Sequence, residues 1–499
     1  SLARNWQSTK YGTNIMEALQ RLHNRGSIST GFDIDNSCKF QRDSEYLKAE
    51  GRSQGTQTTW TYSTWVKRTD LSDTNEPYQN IFSAGSSSSN WCHAYFRGDG
   101  SYPDNQIFLY LDNGGSQYWL GRILESFRDT SAWLHFVLAV DTTQSTTTDR
   151  AKVYINGVQK TISNFTAPTQ NASTRVGDGG GKFAIGALTD ASHSFNGYIA
   201  ECVLVDGSQL APTSFGEFDD DSGIWKPKDV SSLSLGTTGF YINFDDSSDM
   251  GKVTSGNNGG DFDKYSIDST NQATDTPTNN FATGNPLLYF SSATTISEGA
   301  TKIAKGANGW EILASTMAVT RGKWYVEVRN ETMPESAMAS IMPDDIELIF
   351  RGGQTLNYPG KIVGDEGQGY YSYNGKYYRN GHYEDYGASW TGSTNTIGIA
   401  LDMDNGKLYF AKDNTWQNSG DPTSGSTGTG AIDVLAPTKP HLIGYTPYAA
   451  NTDGFINFGG YTGASISSAA SDADGYGTFE YAPPSGYYAL CTKNLEEYG

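Results

Sequence analysis

Apolar and polar positions alternate along most of this chain with a period of two, and the one clear exception lies near its start. At residues 13–24, Ile15, Ala18, Leu19 and Leu22 fall at i, i+3, i+4 and i+7, a single apolar face of a 3.6-residue period. Asn14 with Glu17 forms a capping box and Gly26 a stop signal, so the pattern predicts a short helix over 13–24. A helix of about a dozen residues is marginal alone, so the stripe of Ile15, Leu19 and Leu22 must be buried against something. From Gly31 onward the period changes to that of strands. Trp60, Tyr62 and Thr64 alternate with Thr61, Ser63 and Trp65. The stretch 133–140 (WLHFVLAV) is apolar at nearly every position, as expected of a central strand covered on both faces.

Turn chemistry supports the same class. Asn-Gly pairs start at 113, 156, 196, 258, 308, 374, 380 and 405, and Asn-Gly suits the type I′ turn, whose two central residues need positive φ. Those in KVYI-NG-VQK, YYSY-NG-KYY and DMD-NG-KLYF sit between good strands. The expected fold class is all-β, with two tandem antiparallel β-sandwiches and a short N-terminal helix. Residues 246–285 are rich in Gly, Asn, Ser, Thr and Asp with little apolar content and read as a linker. The expected layout is an attachment segment at 1–30, a sandwich at 31–245, a linker at 246–285 that proteases should cut first, and a second sandwich at 286–499.

Composition sharpens the function classes. The chain has 499 residues with 35 basic and 55 acidic ones, a net charge of −20. A phosphate backbone would repel such a chain, so no nucleic-acid partner is expected. No run of about 18 apolar residues occurs, so no membrane insertion is expected either. Aromatics make up 13% of the residues and glycine contributes 57, which favours strands and tight turns. Cys38, Cys92, Cys202 and Cys491 lie far apart without C-x-x-C spacing, which excludes a zinc ribbon; buried free thiols are expected, with a Cys38–Cys202 bridge left open.

Catalytic constellations are scarce. The six histidines are isolated, with no H-E-x-x-H, and His135 is placed inside a core strand. Glycoside hydrolysis needs two carboxylates across a cleft; Glu217, Asp219 and Asp221 have alternate spacing but read first as an exposed acidic loop. Asp472 and Asp474 place oxygen ligands at alternate positions, so a structural calcium is a weak alternative to the expectation of no cofactor. Aromatic loops are the stronger signal. Tyr371, Tyr373, Tyr377, Tyr378 and Trp390 cluster within 370–390, and Trp416 follows a strand. Flat rings stack on sugars while neighbouring polar groups bond hydroxyls, so these six are the candidate ligand-binding residues.

Three stretches of the first block, TWTYSTWVKR (59–68), DTSAWLHFVLAVD (129–141) and FNGYIAECVLVDG (195–207), resemble the laminin-G-like or concanavalin-A-like sandwich. In the second block GKWYVEV (322–328), NTIGIALDMDNGKLYFAKDNTWQ (395–417) and GFINFGG (454–460) resemble a SPRY domain. The combination resembles structural proteins of marine tailed bacteriophages. That resemblance implies a non-enzymatic virion appendage or fibre, exposed on the particle. Its implied partners are other virion proteins, further copies in a homo-oligomer, expected to be a trimer, and a host-surface glycan or receptor. A capsid-decorating or connecting protein and a glycan-cleaving virion enzyme are the alternatives.

Overall fold

The computed structural model describes residues 32–499 except 43, 72–77, 88–89, 99–104, 114–115, 221, 257–259, 289, 333–335 and 346–357. The expected attachment segment, with Ile15, Leu19 and Leu22, lies outside the described residues. Among the described residues the chain is all-β: two sandwiches, each of two mainly antiparallel sheets, and one small α-helix at the C-terminal end, Thr492–Tyr498. No described helix is long and apolar enough to cross a membrane.

In the first sandwich the nine-stranded sheet is centred on Thr59–Arg68, which pairs with Leu134–Asp141 on one side and Gly197–Asp206 on the other. The seven-stranded sheet runs through Tyr46–Ala49, Lys182–Ile185, Tyr78–Ser87, Asn90–Arg97, Gln106–Asn113 and Ser116–Ile123. Alternation decides which side chains meet: Trp60 and Tyr62 turn inward with Phe136, Leu138, Phe82, Phe96 and Phe183. Each such side chain, fully buried, contributes about 1.5–3 kcal/mol before entropy is counted. The other side of the nine-stranded sheet is covered too. Trp65, Trp133, Tyr198 and Trp225 form one outer cluster, and Val137, Val203, Val205, Phe215, Leu235 and Tyr241 another. This is why 133–140 reads as apolar throughout. His135 is a satisfied core residue: Trp225 Nε1 donates to its Nδ1 at 3.0 Å, which leaves Nε2–H to donate to Ser63 Oγ at 2.9 Å. Burial pulls its pKa down to about 3, so the ring stays neutral. All four cysteines are free and buried.

The Asn-Gly pairs divide by loop length. At 156–157 and 380–381 both residues have positive φ, and Ile155↔Val158 and Arg379↔His382 close two-residue type I′ hairpins. At 374–375 and 405–406 only the glycine is left-handed, and the loops are longer.

A bulge between Ala200 and Val203 puts Glu201 at φ 54° and buries its carboxyl on the covered outer side of the sheet, where Tyr241 Oη lies 2.9 and 2.8 Å from the two oxygens. Burial pushes its pKa up to about 8. A carboxyl raised in the fold binds more protons folded than unfolded. Its stability contribution is therefore complete below the ordinary glutamate value and is lost as pH rises towards about 8. Glu201→Gln should flatten this part of the stability–pH curve and gain stability near pH 8. Denaturation midpoints at pH 5 and 8 measure the difference; equal slopes in both proteins would refute it.

The stretch read as a linker is instead part of the first sandwich and its boundary. Ser255–Gly256 pairs with Phe240–Ile242, Asp263–Tyr265 with Tyr46–Ala49, and Gln272–Ala273 with Ser37–Phe40. Backbone pairing needs no apolar side chains, so a polar composition concealed edge strands. Asp275, Thr276, Thr278, Asn279 and Asn280 are buried polar residues between the two sandwiches. The expected preferential cleavage at 246–285 loses its basis.

The second sandwich packs a nine-stranded sheet, centred on Lys323–Asn330 and Thr396–Asp402, against a six-stranded sheet that includes Ala337–Pro343, Gln368–Tyr371, Lys376–Arg379, His382–Asp385 and His441–Pro447. Trp324, Val326, Ile341, Tyr370, Tyr377, Trp390, Ile399, Phe410 and Tyr445 fill the core. The far side of the nine-stranded sheet is closed by Phe281, Phe479, Tyr487 and Cys491 from segments that pack over it. Contacts between the blocks are specific: Tyr198 Oη donates to Gly299 O at 3.0 Å, Tyr198 meets Tyr461 edge-on at 5.8 Å, and Lys39 pairs with Glu45 and Glu298 at 2.8 Å each.

Candidate binding face

Both nine-stranded sheets are covered on both sides, so the outer sides of the seven- and six-stranded sheets are the ones left to meet a ligand. Both carry aromatic rings, for a local reason. Where Tyr370 and Tyr377 point into the core, period two sends Tyr371 and Tyr378 outward. The type I′ turn at 380–381 then lays Tyr383 beside Tyr378, with ring centroids 5.4 Å apart.

The result on the six-stranded sheet is one continuous surface. Tyr371 lies 5.5 Å from Tyr378, 6.3 Å from Tyr373 and 5.9 Å from Trp310. Trp310 in turn meets Tyr358 at 4.7 Å and Tyr448 at 5.0 Å. Tyr373 and Tyr383 are 65% and 60% exposed, which makes them the most open rings of the surface. Its border is polar: Lys376 pairs with Asp385 at 2.6 Å, and Lys376 Nζ stands 5.0 Å over the Tyr383 ring.

Of the six ring residues expected to bind, the structure brings together Tyr371, Tyr373 and Tyr378. Tyr377 and Trp390 are corrections: at 2% and 0% exposure they belong to the core, because alternation from outward Tyr378 turns Tyr377 inward and Trp390 packs 5.9 Å from Tyr370. Trp416 is half-buried against Tyr409 at 6.4 Å and stands apart from the surface. Trp310, Tyr358, Tyr383 and Tyr448 were missed. Tyr383 lay within the same tyrosine-rich run, whereas Trp310 and Tyr448 reach the face from distant segments and leave no local signal.

The seven-stranded sheet of the first sandwich carries a second aromatic outer side that sequence reasoning also passed over. His93 stacks on Tyr95 at 4.7 Å, Tyr95 lies 5.6 Å from Phe108, and Trp91 and Tyr110 flank His93 at 6.0 and 5.4 Å. This side is already filled. The Arg97 guanidinium sits 5.2 Å over Tyr78 and 5.3 Å over Phe108, which is fully buried, and His93 Nδ1 bonds Asn80 Oδ1 at 2.8 Å. Burial, with His193 nearby, pulls His93 down to about 3. The alternation of Trp91, His93, Tyr95 and Arg97 with Cys92, Ala94 and Phe96 was the available signal.

The carboxylate candidates are structural. Asp219 is buried, not in an exposed loop: it accepts from Ser222 N at 2.9 Å and pairs with Lys226 at 3.2 Å, on a hairpin of Gly216–Phe218 with Trp225–Pro227. Glu217 shares Lys226 at 3.5 Å, and Asp221 lies outside the described residues. Glu327, pushed up to about 7 by burial, borders a shallow cleft with Glu480, but its oxygens accept Glu480 N and Tyr481 N at 2.9 Å and Tyr325 Oη at 3.1 Å. Glu480 is itself engaged by Ser467. The calcium reading of Asp472 and Asp474 also gives way. Asp472 Oδ1 accepts Asp474 N and Tyr476 N, and Oδ2 accepts Ala489 N and Asn494 Nδ2, all at 2.8–3.0 Å, which leaves N–H donors where a cation would have to sit. Asp474 Oδ2 accepts Tyr498 Oη at 2.8 Å. Among the described residues no group of three or more metal-ligating side chains converges.

No curated protein matches the chain. Among solved structures, the SPRY domain of human HERC1 is 14% identical, over 33% of this chain and 92% of that one, with a TM-score of 0.25. The TRIM65 PSpry domain is 13% identical over 35% and 88%, with a TM-score of 0.26. A Bacteroides ovatus protein provisionally described as carbohydrate binding is 14% identical over 48% and 59%, with a TM-score of 0.32. Residues 41–210, which span most of the first sandwich, match the family described as the concanavalin A-like lectin/glucanases superfamily, so this part of the chain carries a laminin-G/concanavalin-A-like domain.

Proposed function

We propose that this protein is a non-enzymatic glycan-binding protein displayed on a bacteriophage virion, and that it holds a host-surface glycan on the aromatic face of its six-stranded sheet. The observation that carries the binding role is the contiguous row Tyr371, Tyr373, Tyr378 and Tyr383, half-buried at Tyr371 and Tyr378 and open to solvent at Tyr373 and Tyr383. Rings of this kind pack against the C–H faces of sugars, and the Lys376–Asp385 pair at the border supplies donors and acceptors for hydroxyls. The lectin-like family of residues 41–210 supports the same ligand class. The likeness of the sequence to phage structural proteins supports the virion setting. There, residues 1–30 attach the chain to other virion proteins or to further copies, as a trimer, and repeated weak sites gain avidity.

The double variant Tyr373→Ala/Tyr378→Ala should weaken binding to a panel of immobilised bacterial polysaccharides by more than tenfold, about 1.4 kcal/mol, with little change in Tm. Binding unchanged by the double variant would refute the face. Cleavage of a bound polysaccharide by the purified protein would refute the non-enzymatic reading.

A further inference from the structure

Lys67 lies on the outer side of the central strand of the first sandwich, aimed at the second, and its side chain is completely buried. Its Nζ stands 2.6 Å from Asp275 Oδ2, 2.7 Å from Asn280 Oδ1 and 2.8 Å from the Phe281 carbonyl. Asp275 is held in place by Trp133 Nε1 at 3.0 Å and Phe281 N at 3.3 Å, both on its other oxygen. Asn280 is fixed at both ends, with Nδ2 donating to Ser131 O at 2.6 Å and its backbone N–H to Thr492 Oγ1 at 3.0 Å. Trp133, Tyr198 and Phe281 wall the group off from water. An amine, a carboxamide and a carboxyl group are thus locked together in a dry, aromatic-lined site.

The geometry points to an intramolecular isopeptide bond between Lys67 and Asn280, formed by the chain itself with Asp275 as the proton relay. The neutral Nζ adds to Asn280 Cγ, and the carbonyl electron pair moves onto Oδ1. Asp275, protonated, gives its proton to Nδ2 and takes one back from the Nζ that has bonded to Cγ. The carbonyl re-forms, the Cγ–Nδ2 bond breaks and ammonia leaves, so the step balances without oxidant, reductant or cofactor. Burial favours the required forms, because it lowers the Lys67 pKa and raises that of Asp275.

The second interfacial lysine provides the contrast. Lys39 faces two carboxylates, Glu45 and Glu298, and no carboxamide, and Glu298 is partly open to water. That is an ordinary ion pair, with Lys39 held above its usual pKa although burial alone would lower it. The Lys67–Asn280 bond would tie strand to boundary across 213 positions of sequence and fasten one sandwich to the other.

Intact-mass spectrometry of the denatured full chain should read about 17 Da below the sequence mass, the loss of one ammonia. Digestion should release a branched peptide joining the segments around Lys67 and Asn280. Because an Asn-Gly succinimide loses the same mass, the decisive controls are Lys67→Arg and Asn280→Ala, each of which should restore the full mass. Asp275→Asn should also remain unlinked. A folded wild-type chain at its full sequence mass would overturn the bond and leave a non-covalent strut. A mass deficit that survives in Lys67→Arg would overturn it as well, and a branched peptide formed by Asp275→Asn would overturn the relay.

Discussion

Trp390→Ala should unfold the second sandwich and not merely silence its ligand-binding face. Trp390 has no exposed surface, packs against Tyr370, and accepts Asn330 Nδ2 on its carbonyl at 2.8 Å. Removing a buried indole costs the transfer free energy of its atoms and leaves a cavity that neighbouring strands fill only partly, about 3–5 kcal/mol in all. Chemical denaturation should show that loss, whereas the outward Tyr373→Ala should change stability by under about 0.5 kcal/mol. A Trp390→Ala protein of unchanged midpoint would show that the residue is not core.

Lys39→Met should cost a similar amount, about 3–5 kcal/mol, by stranding Glu45 at the boundary between the sandwiches. Methionine keeps much of the length of the side chain, so the loss reports the missing charge more than missing packing. Glu45 is mostly buried, and Lys39 is the cation facing it at 2.8 Å; burial already raises its pKa, with the Lys39 charge opposing that rise. Glu298, partly solvated, loses less. Because Lys39 lies in the first sandwich and Glu298 in the second, the variant should also weaken their docking. Wild-type protein should resist proteases within 246–285, and Lys39→Met should open that stretch to cleavage. Early cleavage there in the wild type would show that the paired strands and buried polar residues of this stretch do not hold.

The same boundary separates what could be read locally from what could not. Asn156-Gly157 carried its hairpin in two residues, because a turn needing positive φ at both positions is met by few other pairs. Stretch 133–140 likewise stated its own double burial, since no strand with a wet face is apolar at every step. Residues 246–285 carried no such statement. Their strands are held by backbone hydrogen bonds to Tyr46–Ala49 and Ser37–Phe40, and a backbone bond leaves no mark on composition.

For the binding face, the sequence by itself determined that tyrosines would gather in one hairpin region, and alternation allowed one of each neighbouring pair to point outward. It could not say which one. A one-residue change of register exchanges every inward and outward side chain, and the register here follows from pairing with Ala337–Pro343, some thirty residues away. Only the tertiary structure therefore placed Tyr377 inside and Tyr378 outside, and brought Trp310 and Tyr448 to the same surface. It alone also brought Lys67 to Asn280, because two polar residues 213 positions apart meet only after both sandwiches have formed and docked.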